Sequence, residues 1–179
     1  MTNVLLFHHA QGLTDGVRAF ADRLRDAGHQ VTLPDLYDGH TFDTLDEGIG
    51  YAKRVGFDNL QTEGVRAAED APDECVYAGF SLGVMPAQQL AQTMPGAIGA
   101  LFFFSCLPPS EFGTWPADLP AQIHGMDADP WFAEEGDLEA ARALVEQADS
   151  AELFIYPGDK HLFADSSLPD YDQSAAVLL

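Results

Sequence analysis

A serine held between glycines, Gly79-Phe80-Ser81-Leu82-Gly83, carries the most specific chemical meaning in this chain. An apolar run, Cys75-Val76-Tyr77-Ala78, precedes it, and an apolar-rich stretch, Val84 to Ala91, follows it. The pattern predicts strand, sharp turn and helix with the serine at the apex, the arrangement of a nucleophile elbow. Glycines flank the serine because so tight a turn leaves no room for side chains, and the strained serine lifts its oxygen over the sheet. The helix that starts there aims free N–H groups and the positive end of its dipole at the place where an oxyanion would form. The plain alternative is a glycine-rich turn with a solvated serine. The strand before and the helix after favour the elbow.

A serine hydroxyl is a poor nucleophile near neutral pH and needs a base to take its proton. His161 is the candidate, in Tyr156-Pro157-Gly158-Asp159-Lys160-His161-Leu162-Phe163, where Pro and Gly make a loop that can swing an imidazole back over the sheet. Its alternative is a surface loop histidine. An acid must hold the imidazole tautomer and stabilise the imidazolium. Asp127 and Asp129 compete for that role in His124-Gly125-Met126-Asp127-Ala128-Asp129-Pro130. Pro130 ends the turn on Asp129 and favours it; either acid would otherwise cap the next helix. Two backbone N–H groups should form an oxyanion hole, one from Leu82 and one from the loop after the first strand, at Ala10. His8 and His9 border that loop. No third ligand stands at a suitable spacing, so no metal is expected, and they are read as supporting or pocket-lining residues.

These groups need a scaffold that brings strand ends together. Apolar segments at Val4–Phe7, Gln30–Leu33, residues 75–79, 98–104, 121–124 and 152–156 predict strands. They alternate with helices near residues 17–28, 44–54, 59–70, 82–94, 138–148 and 171–178. Thr44-Leu45-Asp46-Glu47 reads as a capping box, and Asp137 as a helix cap. Repeated β-α-β units with near-continuous apolar strands imply a mostly parallel twisted sheet with helices on both faces, a three-layer α/β sandwich in one domain. Ligands bind such sheets outside the carboxyl ends of the strands, and Ser81, Asp129 and His161 follow strands in the order Ser, Asp, His that is expected of α/β-hydrolases. The Pro-rich loop 107–120 is long enough to form a pocket rim. His9, Gln11, Tyr37, Met126, Trp131 and Phe163 are candidate pocket residues, as are Phe80, Met85 and Trp115, with core packing the alternative for each aromatic or Met.

With 179 residues and 46% hydrophobic residues, the chain has enough apolar side chains for a stand-alone core. Its net charge of −21 excludes the clustered cations that nucleic acid or anionic membranes require. No apolar stretch reaches the roughly 20 residues of a membrane span. The N-terminus lacks a positive leader and enters a strand at once, which predicts a cytoplasmic protein. A monomer or homodimer, with a small-molecule ester or lactone as its partner, is expected. Cys75 and Cys106 are expected as buried, unpaired thiols.

With these residues in view, the chain resembles the dienelactone hydrolase family of the α/β-hydrolases. The matching stretches are Gly28 to Tyr37, Gly79 to Gly83, His124 to Asp129, and Tyr156 to Phe163 with Tyr171-Asp172 following. The resemblance implies a Ser81-Asp129-His161 triad, and its histidine-to-acid spacing supports Asp129. Three features differ from members that act on dienelactone. Serine replaces their usual cysteine nucleophile. His9 matches their acid in the loop after the first strand. Asp165 stands where they carry an arginine that holds the substrate carboxylate, so it is expected to repel such a carboxylate. The function implied is hydrolysis of a small carboxylic ester or lactone through an acyl-serine, without cofactor. The alternative is a non-catalytic ligand- or partner-binding member of the same fold. A flavodoxin-like nucleotide binder is disfavoured, because His8-His9-Ala10-Gln11-Gly12 is no phosphate-binding loop.

Overall fold

Six parallel strands form one sheet in the order β2-β1-β3-β4-β5-β6. The computed structural model describes residues 1–179. The strands are β1 (Asn3–Phe7), β2 (Gln30–Thr32), β3 (Cys75–Phe80), β4 (Ala97–Phe103), β5 (Ala121–Met126) and β6 (Ala151–Tyr156). Alternate side chains face opposite ways along a strand, so one sheet feeds two cores. Leu5, Phe7, Tyr77, Phe102 and Ile123 pack under helices α4 (Val84–Thr93) and α5 (Asp137–Gln147), beside Val65 of α3 (Phe57–Arg66). Val4, Leu6, Ala78, Phe80 and Phe103 face α1 (Asp15–Asp26) and α6 (Gln173–Ala176). Helix α2 (Leu45–Val55) adds Ala52 to a small separate cluster with Tyr37 and Leu60. This is the three-layer α/β sandwich that the alternating pattern implies.

The strand order decides where a site can form. From β1 the chain moves outward to β2, then returns to β3 on the other flank of β1. The two connections leave β1 in opposite directions, and a crevice opens at the carboxyl ends of β1 and β3. Phe7 pairs with Gly79, which places residues 8–11 beside Ser81.

Local chemistry sets the element ends, with three departures from expectation. Thr44 caps α2 through the Glu47 amide, as the sequence implies. Asp137 does not cap α5; Gly136, with φ of 102°, takes that position, and Asp137 opens the helix and accepts the Cys106 amide. The last helix is shorter than residues 171–178, because Asp172 caps it through the Ser174 and Ala175 amides. The loop 107–120 reaches the crevice only at Leu107; its far part, Pro116–Pro120, lines a cleft of about 590 Å³ with the end of α4 and the start of β4. Cys75 and Cys106 are buried and unpaired. No helix is long and apolar enough to cross a membrane.

Buried histidines make stability depend on pH, and His8 and His124 show the size of the effect. Burial pushes His8 and His124 down to about 4 from 6.5. Between those values the unfolded chain binds protons that the folded chain refuses. Stability is therefore intact above pH 6.5 and falls as pH drops towards 4. Urea unfolding at constant ionic strength is expected to show ~4 kcal/mol less stability at pH 5 than at pH 7 from these two groups. Equal or greater stability at pH 5 would contradict this account.

Candidate active site

Ser81 sits at the apex of a sharp turn. Strand β3 ends at Phe80, a single 3-10 turn covers Ser81–Gly83, and α4 begins at Val84. Ser81 has φ of 49°, a left-handed conformation rare for a residue with a side chain. Such strain costs on the order of 1–3 kcal/mol and persists only where the surroundings impose it. They do so here. Gly79 packs directly on the backbone of Gly83, and a Cβ on Gly83 would come within 2.6 Å of the Phe7 and His8 carbonyl oxygens. The turn is thus wedged against the end of β1, and only glycine fits on either side of the serine.

Ser81 Oγ lies 2.7 Å from His161 Nε2, and His161 Nδ1 lies 2.7 Å from Asp129 Oδ2. A carboxylate accepts only, so Nδ1 carries the proton and Nε2 is left to accept from the serine hydroxyl. The other Asp129 oxygen accepts the Trp131 amide at 3.0 Å, so the carboxylate is fixed at both ends. Asp129 is fully buried. Phe104 and Trp131 flank the imidazole with ring centroids 6.1 Å away. Asp127 points elsewhere and accepts the Gly158 amide at 3.0 Å, bracing the turn that leads to His161.

Ala10 and Leu82 line the same cavity as Ser81 and His161. Ala10 is buried just past the end of β1, where the Gly12 amide closes a turn on the His9 carbonyl at 3.0 Å. The Ala10 amide is not used in any turn or loop hydrogen bond of the backbone. A serine, an imidazole in the accepting tautomer and a free amide at one strand-end crevice have the chemical capacity for acyl transfer.

The cavity holds about 570 Å³. Leu45, Ile49, Phe57, Met85, Leu107 and Trp131 form its apolar wall, and Asp46, Lys53, Glu135 and Asp137 its charged lining. Burial raises the Asp137 carboxyl above the usual carboxylate range, opposed by hydrogen bonds from Ser105 and the Cys106 amide.

Of the pocket residues expected from sequence, Trp131 and Met85 reach the cavity. His9, Gln11, Tyr37, Met126 and Phe163 do not; each is buried in the packing beneath or beside it. Phe80 and Trp115 are core residues as well. Following a strand end brings the backbone near the site, but tertiary packing decides which way the side chain turns. Asp165 also requires correction. It is absent from the cavity wall, 4% exposed, and hydrogen-bonded to His9 at 2.8 Å, so it is not placed to repel a substrate carboxylate. The wall that α2 supplies went unread. Its signal was the Leu45–Ile49 pair, four residues apart and so on one helix face.

The sequence matches the model of the dienelactone hydrolase family over residues 1–178. Among solved structures, a dienelactone hydrolase-like promiscuous phosphotriesterase from metagenomic libraries superposes with a TM-score of 0.72 at 21% identity, over 99% of this chain and 82% of that one. A putative dienelactone hydrolase from Klebsiella pneumoniae gives 0.71 at 18% identity, over 99% and 82%. At these identities the likeness establishes the α/β-hydrolase fold. A pimeloyl-(acyl-carrier protein) methyl ester esterase from Salmonella heidelberg is 34% identical over 80 residues, which are 43% of this chain and 31% of the relative. The chain thus aligns with about a third of the length of that curated relative.

Proposed function

The chain belongs to the dienelactone hydrolase family, a family of ester-type hydrolases, and on that premise we propose that it is a serine hydrolase of small, uncharged carboxylic esters or lactones. One observation carries the reading: the unbroken line from Ser81 Oγ through His161 to Asp129, with both links at 2.7 Å. Ser81 attacks the carbonyl carbon while its proton passes to His161 Nε2. The Ala10 and Leu82 amides hold the negative oxygen of the tetrahedral intermediate. As that intermediate collapses, the C–O bond to the alcohol breaks and Nε2 returns the proton to the departing oxygen. Water, deprotonated by the same nitrogen, then attacks the acyl-serine; the C–Oγ bond breaks, Nε2 returns the proton to Ser81 Oγ, and the acid is released. Asp129 keeps Nδ1 protonated and stabilises the imidazolium throughout. No step requires a cofactor.

Preference for uncharged substrates rests on the cavity lining. Three carboxyl residues, Asp46, Glu135 and Asp137, face one ammonium, Lys53. A lining whose carboxyl groups outnumber its cations disfavours an anionic ligand. A panel of activated esters matched in size is expected to give kcat/KM at least about tenfold higher for neutral than for carboxylate-bearing members, a difference of ~1.4 kcal/mol. Faster turnover of the carboxylate-bearing esters would refute the preference.

A further inference from the structure

Behind the active serine lies a second buried imidazole–carboxylate pair, which the hydrolytic steps do not use. His9 and Asp165, 156 residues apart in sequence, meet at 2.8 Å between His9 Nε2 and Asp165 Oδ2, with 1% and 4% of their surfaces exposed. Their places in the chain give the contact its meaning. His9 immediately precedes Ala10, a residue of the crevice wall, and Asp165 lies four residues after His161.

Every polar atom of the pair is engaged. His9 Nδ1 accepts the Gln11 amide at 3.2 Å, so Nε2 carries the proton and donates it to Asp165. The same carboxylate oxygen accepts from the Thr14 hydroxyl. Its other oxygen accepts the Ser167 amide at 2.8 Å and the Ser167 hydroxyl at 2.6 Å. The Gly16 amide in turn donates to Ser167 Oγ at 3.1 Å. Only glycine fits at position 16, in the first turn of α1, because a Cβ there would overlap the Asp165 carboxylate. Thr14 caps α1, so the carboxylate also sits at that helix's positive end. Burial alone would raise the Asp165 carboxyl, yet hydrogen bonds from His9, Ser167 and Thr14 hold it at about 2. His9 itself is pushed below its usual range by burial, so the pair is a neutral imidazole donating to a carboxylate.

We infer that the His9–Asp165 pair positions the active site, clipping the loop that presents the Ala10 amide to the loop that presents His161, and so fixes the oxyanion donor relative to the nucleophile and its base. The inference rests on the serine hydrolase reading above. Neither residue touches substrate; both act through Ala10 and His161. Misplacement of a reacting or stabilising group by about 1 Å can lower a rate by about 10²-fold. A loosened clip should therefore act on the transition state and leave ground-state binding alone.

The test compares wild type, Asp165→Asn and His9→Gln, each with its active sites titrated by a fluorophosphonate and its folding checked by circular dichroism. Asp165→Asn is expected to lower kcat per titrated site by about 10²-fold, with KM within threefold of about its wild-type value. A boronic acid, which forms a tetrahedral anion on the serine, should bind weaker by the same factor. His9→Gln retains a donor towards Asp165 and should recover all but about tenfold of the rate. Should Asp165→Asn fail to fold, Thr14→Val removes one hydrogen bond from the same carboxylate and should lower kcat by about tenfold with KM unchanged. Wild-type kcat per titrated site in the folded variants would overturn the clip and leave the hydrolase reading standing. Absence of labelling and turnover in the wild type would overturn both.

Discussion

Ser81→Ala is expected to lower kcat on a small activated ester by about 10⁶-fold, the scale seen when the nucleophile of a serine triad is removed. The fold should be unaffected. Alanine at this position meets the same positive φ that serine already adopts, so the turn gains no strain. The hydroxyl makes one side-chain hydrogen bond, to His161 Nε2. Circular dichroism and Tm should match the wild type while turnover disappears. Residual activity within tenfold of wild type would remove Ser81 from the mechanism.

Asp129→Asn should cost about 10⁴-fold in kcat. The reason is a tautomer that the surroundings dictate. One Asp129 oxygen accepts the Trp131 amide, a role that an asparagine can fill only with its carbonyl oxygen. The NH₂ group is then turned towards His161 Nδ1, which must become an acceptor. The ring proton moves to Nε2, the nitrogen that should accept from Ser81. Fluorophosphonate labelling of Ser81 should slow in parallel with turnover. Asp127→Asn is the matched control, since Asp127 accepts only the Gly158 amide among the backbone groups near the loop. It should change kcat by no more than a few-fold, because the asparagine carbonyl oxygen can still accept the Gly158 amide and only the charge is lost. A larger effect at Asp127 than at Asp129 would reverse their roles.

What was legible in the sequence is what local chemistry controls. The elbow could be read because its glycines answer a backbone need within five residues: Gly83 lies where a Cβ would strike the end of β1. Strands were readable because burial on both faces leaves an unbroken apolar run, as in Val4 to Phe7. The order of Ser81, Asp129 and His161 along strand ends pointed to residues that the fold does bring within hydrogen-bond distance. Side-chain direction in the loops was not legible. Tyr37 follows a strand yet packs with Ala52 and Leu60, and Phe163 lies beside His161 in sequence yet fills the core against Phe104. Nor could the cavity wall be read. It depends on where α2 docks over the crevice, and Gly48 permits that docking by letting the helix press against the Ala10 carbonyl. His9 and Asp165 each stood out singly as departures from the family pattern. Their contact joins opposite ends of the chain, and it accounts for both.

If Ser81 forms the covalent intermediate, that intermediate can be trapped. Incubation with a fluorophosphonate, followed by proteolysis and mass spectrometry, should place one adduct on the peptide containing Gly79-Phe80-Ser81-Leu82-Gly83, at the serine. The adduct should be absent after Ser81→Ala and strongly slowed after Asp129→Asn. An unmodified Ser81 in folded protein, or an adduct on another residue with ester turnover intact, would contradict the account.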